Sequence, residues 1–265
     1  MTHLDVKNTL LALEQPERAS FAAQFFQVKP GHYGEGDQFL GLSMPQQHAV
    51  AKQFLRLSPD ETEQLVRDPY HECRMTGLLI WVYQVRSGGI RSGGIRSGGI
   101  RSGGIRSGGT RSGGTRMSSQ ANPGRAELAD RYVANRRYVN NWDLVDSSSP
   151  AILGEYLLHT DRSILYELAE ENHLWTQRIA MVATLAFIRK GQFSDTFALA
   201  EQFIQHKQHD LVDKAVGWML REVGKRNPDA LEEFLHDHIR QLPRTALRNA
   251  IYSLDPAKKR HYLEL

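Results

Sequence analysis

A basic residue followed by a run of small and apolar residues recurs along the chain at a nearly constant step. The segments are Arg178-Ile-Ala-Met-Val-Ala-Thr-Leu, Lys214-Ala-Val-Gly-Trp-Met-Leu-Arg and Arg248-Asn-Ala-Ile-Tyr-Ser-Leu, spaced by 36 and 34 residues. Arg74-Met-Thr-Gly-Leu-Leu-Ile-Trp has the same form earlier in the chain. A helix pair of this length cannot bury its apolar stripe alone, so neighbouring pairs must stack, which predicts an α-solenoid. Small residues such as Ala180, Ala183, Ala215 and Gly217 would let the inner helices approach closely. Residues at equivalent repeat positions then align on one face. Counting back 36 residues from Arg178 reaches Trp142, so Trp142, Arg178 and Lys214 are expected in register on a concave groove.

The rest of the chain agrees with an all-α class. Apolar residues at three- and four-residue spacing predict helices over 5–13, 17–26, 45–57, 60–67, 69–85, 123–138, 150–158, 161–170, 174–190, 193–205, 211–225, 229–241 and 244–254, with a final turn from Pro256. Ser58-Pro59, Ser149-Pro150 and Asn227-Pro228 each place a capping residue beside a proline and read as helix starts. No segment alternates apolar and polar residues long enough for a strand. One domain over 1–265 is expected, interrupted at 86–116 by a tract that reads RSGGI four times and RSGGT twice. Each unit offers at most one bulky apolar side chain, too little to offset the entropy of ordering. The tract is expected to be a flexible basic loop, either a tolerated expansion or an arm that touches phosphates.

Composition then narrows the function classes. Lys and Arg total 33 against 30 Asp and Glu, but six of the arginines lie in the repeated tract, and without them the chain carries −3. The total therefore says nothing of a nucleic-acid surface, which must be sought locally. Cys73 is the single cysteine, which excludes internal disulfides and cysteine-rich zinc sites. The longest apolar run, 179–188, is too short to span a membrane, and no secretory signal opens the sequence. A cytoplasmic monomer with no membrane association is the expectation. The close histidine pairs, His206 with His209 and His236 with His238, lack the companion carboxylate of a helical metal site. His71-Glu72 lacks a second histidine, so no metal and no cofactor is expected. Phosphate-binding glycine loops and a serine nucleophile elbow are absent from the sequence.

The expected groove carries aromatics and cations, which suit a nucleic-acid backbone. An acid among them, Asp146, lies one helical turn from Trp142, and Trp218 lies one turn from Lys214. A carboxylate repels phosphate, but it stabilises the oxocarbenium-like charge that develops on a sugar when an N-glycosidic bond breaks. A base that is already cationic needs no general acid to leave, so one carboxylate suffices, unlike the pair used by most sugar hydrolases.

At these residues the sequence resembles a known family. Asn140-Asn141-Trp142-Asp143-Leu144-Val145-Asp146-Ser147-Ser148 is similar to the W-D-x-V-D signature of AlkD-like DNA alkylation repair enzymes. Leu174-Trp175-Thr176-Gln177-Arg178 resembles their W-x-R-R element, with Gln177 where arginine is usual. Lys214-Ala-Val-Gly-Trp218 resembles their K-A-I-G-W segment. Gly41-Leu-Ser-Met-Pro45 and Glu72-Cys-Arg74 also fit. The resemblance implies HEAT-like repeats around duplex DNA and a monofunctional glycosylase acting on N3- and N7-alkylated purines. It implies Asp146 as the catalytic carboxylate, Trp142 and Trp218 against the damaged nucleotide, and Arg178 on a phosphate. Lys214 and Arg74 are further DNA-binding candidates. Plainer readings stay open: Asp146 fits the cap of a helix starting at Pro150, the tryptophans fit a core, and the cations fit ordinary ion pairs. A non-catalytic helical scaffold that binds nucleic acid or protein is the alternative function.

Overall fold

The computed structural model describes residues 1–87 and 123–265; the tract expected to be a loop lies, from residue 88 on, outside the described residues. Every regular element among the described residues is helical, apart from one parallel bridge between Gln38 and Tyr70. The first five helices are α1 (His3–Leu11), α2 (Pro16–Phe25), α3 (Met44–Gln53), α4 (Pro59–Val66) and α5 (His71–Arg86). Then come α6 (Pro123–Ala134), α7 (Trp142–Ser149), α8 (Glu155–Leu157), α9 (Ser163–Glu170) and α10 (Leu174–Ala183). The chain closes with α11 (Leu185–Ile188), α12 (Ser194–Ile204), α13 (Asp210–Gly224), α14 (Pro228–His238), α15 (Arg244–Ala250) and α16 (Pro256–Glu264).

The predicted all-α helical repeat is the observed architecture. Helices α5, α7, α10, α13 and α15 pack each against the next, and α4, α9, α12 and α14 back them from outside. Helix α5 shows what the inner layer demands. Fourteen of its sixteen residues are buried, because it is covered by α3, α4, α6 and α7 at once. Its sequence accordingly lacks a polar face, the mark of a helix enclosed all round. Gly217 fits the small-residue expectation. A Cβ there would stand 2.3 Å from the carbonyl oxygen of Ala246 and 2.6 Å from the Cβ of Asn249, so only glycine lets α13 lie this close to α15.

Two of the three expected helix starts hold. Ser58 accepts from the amide of Glu61 and Asn227 from that of Ala230. The third is corrected: the chain is already helical before Pro150. Asn141 caps α7 by accepting the amide of Trp142 at 2.8 Å. The helix then runs through Ser149 into a π-turn at Pro150–Gly154 and on into α8. Proline has no amide to donate to the preceding turn, and the wider turn accommodates its ring. Ser149 turns its hydroxyl across to the carbonyl of Ile179 on α10, at 2.9 Å. The element that carries Trp142 and Asp146 is therefore one helix, welded to its neighbour at its C-terminal end.

Candidate nucleic-acid site

Asp146 lies in the body of α7, and its carboxylate makes no bond to its own backbone. Both oxygens instead meet Arg178 of α10: Nε donates to Oδ1 at 3.0 Å and Nη2 to Oδ2 at 2.8 Å. The third nitrogen, Nη1, donates to the carbonyl of Leu211 on α13. One guanidinium thus ties three successive inner helices together. The pair is asymmetric in exposure: 6% of the Arg178 side chain reaches solvent against 20% of Asp146. Burial raises the Asp146 carboxyl above its ordinary value; Arg178 opposes this, and the neighbouring Asp143 adds to it. The capping alternative is thereby excluded, since the helix begins at Trp142.

Arg178 is enclosed where the resemblance implies a phosphate contact. Its guanidinium is buried and donates from all three nitrogens to protein oxygens, two to Asp146 and one to Leu211. Arg178 also shares the charge of Asp146. Arg74 is similarly enclosed. It is 4% exposed, its Nη1 donates to the carbonyls of Asp68 and Pro69, and its Nη2 meets Asp37 at 2.5 Å. Lys214 is different. Its side chain is half exposed, and its one ion pair, to Asp210 one turn back at 2.6 Å, is open to solvent. Such a pair is worth at most about 1 kcal/mol, so a phosphate can compete for the ammonium. Asp213, next to Lys214, is pushed up to about 6 by burial and by Asp210.

Trp142 and Trp218 are both half-buried against the core edge, whereas Trp81 and Trp175 are buried core residues. The indole of Trp142 stands 6.1 Å from the ring of Phe25 and 5.6 Å from that of Phe26. Phe25 itself is 54% exposed, as is Phe21, at 69%, stacked beside it. An open aromatic surface from α2 therefore borders Trp142, and only the folded chain shows it.

Sequence reasoning also missed a buried charged network on the other side of α7. His71 donates between two carboxylates, 2.8 Å from Asp143 and 3.2 Å from Asp37. Arg74 and Asn140 reach the same Asp37, and the rings of Phe26 and Phe39, stacked on each other, lie 5.1 and 4.7 Å from the imidazole. Burial alone would depress the His71 pKa, but Asp143 and Asp37 outweigh it and raise the pKa to about 9. Burial likewise opposes ionisation of Asp37, yet His71 and Arg74 hold its carboxyl below the usual range. Glu72, the next residue, accepts the amides of Leu40, Gly41 and Leu42 at 2.8–3.2 Å. The two early motifs, at 41–45 and 72–74, are thus a single tertiary contact that fixes the N-terminal segment against α5.

Basic residues Arg136 and Arg137 pair with Glu171, and Lys225 and Arg226 with Glu222. Among the described residues no three His, Cys, Asp or Glu side chains are grouped to hold a metal ion, and no helix is long and apolar enough to cross a membrane.

Fold and site together define an all-α helical-repeat protein whose inner helices present an acid–arginine pair, two tryptophans and an open lysine. The model of the DNA alkylation repair enzyme family matches residues 6–89 and 113–254, and the chain belongs to that family. Membership carries a role in DNA alkylation repair. A solved structure described as a predicted DNA alkylation repair enzyme from Enterococcus faecalis shares the fold, with a TM-score of 0.61 at 18% identity over 92% of this chain and 97% of that one. No curated protein matches the chain.

Proposed function

We propose that the protein is a monofunctional DNA glycosylase that hydrolyses the N-glycosidic bond of cationic N3- or N7-alkylated purines in duplex DNA. It would act as a cytoplasmic monomer without a cofactor. The observation that carries this reading is the Asp146 carboxylate itself. It is held from one side by Arg178, partly open on the other, one helical turn from Trp142. Family membership supplies the DNA and the alkylated base.

The chemistry follows from the pair. Arg178 opposes the burial that favours protonation, and the bidentate contact fixes the plane of the carboxylate. Each oxygen keeps a lone pair on the side away from Arg178. A deoxyribose losing a cationic base develops positive charge that this side of Asp146 would stabilise, while one oxygen accepts a proton from the attacking water. The indoles of Trp142 and Trp218 add cation–π stabilisation of about 0.5–2 kcal/mol each if they face the sugar. Asp146, Trp142 and Trp218 are the catalytic residues of this proposal. Lys214 is its phosphate contact, and Arg178 becomes a positioning residue.

Base release from duplex DNA containing N7-methylguanine tests the reading. Asp146→Asn keeps one acceptor for Arg178, so the variant should fold, bind DNA with similar affinity, and release base more than tenfold more slowly. The second reading, a non-catalytic scaffold, draws on the neutralisation of Asp146 by Arg178. Wild-type protein that binds alkylated duplex and releases no base would establish it instead.

A further inference from the structure

The cation–aromatic pair on α13 is repeated one helix further along. Lys214 and Trp218 are four residues apart, and 34 residues later stand Arg248 on α15 and Tyr252 in the following turn, Ile251–Ser253. Tyr252 is 68% exposed although its neighbours Ala250 and Ile251 are buried. The backbone under it is therefore anchored while the ring is presented to solvent.

Two cations from other elements converge on that ring. The guanidinium of Arg221 on α13 lies 5.4 Å from its centre, and the Lys259 ammonium on α16 lies 5.3 Å away. Leu211, Lys214, Trp218 and Arg221 follow at steps of three, four and three along α13, a single stripe of the helix. The stripe begins at the carbonyl that receives Arg178 and ends at Tyr252. Among the described residues, no carboxylate pairs with Arg221, Arg248 or Lys259. Lys214, Lys225, Arg226 and Lys258 nearby each do have an acidic partner. Over residues 240–265 six Lys and Arg stand against two Asp and Glu. Charge is thus concentrated at this end of a chain that is otherwise near balance.

We propose that Arg221, Arg248, Tyr252 and Lys259 form a second contact site for the sugar-phosphate backbone of duplex DNA, displaced along the helix stack from Asp146. The inference rests on the reading of the protein as a duplex-DNA binder and gives that surface an extent. Unpaired guanidinium and ammonium groups meet phosphates without first losing an internal partner. An exposed tyrosine between them offers a face to deoxyribose and a hydroxyl to phosphate. Three inner-helix steps separate α7 from α15, and at about 8–10 Å per step the site lies ~27 Å from Asp146. With 3.4 Å of rise per nucleotide along a strand, the two sites would engage positions roughly eight base pairs apart.

The length gives the test. Binding is measured by fluorescence anisotropy at several salt concentrations on two duplexes, each with one N7-methylguanine. One extends about 12 base pairs on both sides of the lesion, and the other is cut to about four. On the long duplex, Arg248→Ala with Lys259→Ala should weaken binding at least tenfold. It should also flatten the salt slope by about 1.8, the value for two phosphate contacts. Tyr252→Ala should weaken it roughly fivefold, in the range for loss of one aromatic contact. On the short duplex all variants should match wild type, and base release at saturating DNA should be unchanged. Arg248 and Tyr252 are exposed and Lys259 partly so, and far-ultraviolet circular dichroism should report an intact fold. A wild-type salt slope retained by the double variant on the long duplex overturns the site while leaving the DNA reading intact. Equal weakening on both duplexes overturns the displaced position. A wild type that binds neither duplex overturns both the site and the reading on which it rests.

Discussion

Helix α7 has a charged cluster on each side, and the two are built from the same parts for different ends. On one side Asp146 is gripped by a single cation, Arg178, and a fifth of its side chain stays open to water. On the other, Asp143, itself 16% exposed, is the outer member of a set in which His71 and Arg74 bind the buried Asp37, with the stacked rings of Phe26 and Phe39 packed beside the imidazole. The closed set satisfies its charges internally and joins three distant stretches of chain, which is a structural task. The open pair leaves part of an acid available next to an indole. Three residues of sequence thus separate a carboxylate paired with a histidine from one paired with an arginine. Neither residue type nor exposure, 16% for Asp143 and 20% for Asp146, separates them; what does is the partner, a histidine shared with a second carboxylate in one case and a single arginine in the other.

The comparison can be broken most forcibly at Arg178. Removing one member of a buried ion pair leaves the other charge uncompensated, at a cost of about 3–5 kcal/mol, whereas replacing both by apolar residues is often neutral. Arg178→Ala should lower the unfolding free energy in urea by that amount. Arg178→Met with Asp146→Leu should restore most of the stability and still release no base. A loss below about 1 kcal/mol in Arg178→Ala would mean that Asp146 is solvated well enough to need no partner.

His71 gives the next largest effect, and it is read by pH. Its pKa in the folded protein, about 9, lies above the value of about 6.5 expected in the unfolded chain. Its contribution is then fully present below pH 6.5 and is lost as pH rises through about 9. A shift of that size corresponds to about 3 kcal/mol. Stability measured from pH 6 to 10 should fall through this window, and His71→Gln should flatten the curve. A wild-type profile without the decline would show His71 to be neutral in the fold.

Much of this architecture was legible in the sequence, and the exceptions have identifiable causes. Outer helices such as α9 and α12 show a clear apolar stripe, and the 34–36 residue step located the stacked inner layer. Helix α7 was not seen as a helix because Ser149-Pro150 mimics a start. The π-turn that absorbs Pro150 depends on tertiary support from Ile179. Trp142 and Asp146 were found through motif and spacing, but the partner of Asp146 was not. An arginine at the head of the long apolar run that begins in α10 was itself the signal, since a charge packed against such residues needs an acid nearby. Arg74 in α5 carries the same signal. Nothing local marks Asp37, His71 and Asp143 as a unit, because they lie 34 and 72 residues apart.

The finest test asks whether the two sides of α7 sense each other. Asp143 is engaged by His71 on one side, yet its charge also helps keep the Asp146 carboxyl raised on the other. If catalysis requires ionised Asp146, base release should fall on the acid side of a carboxyl pKa that lies above the ordinary carboxylate value. Asp143→Asn removes a negative charge while keeping an acceptor for His71, so Asp146 should ionise more easily and the acid limb of the rate profile should move to lower pH. Its direction is the informative part, because general loosening of the site would lower the rate at every pH without moving the limb. A limb that stays in place would mean that Arg178 alone sets the state of Asp146. The closed cluster would then hold α7 in position without tuning the acid three residues away.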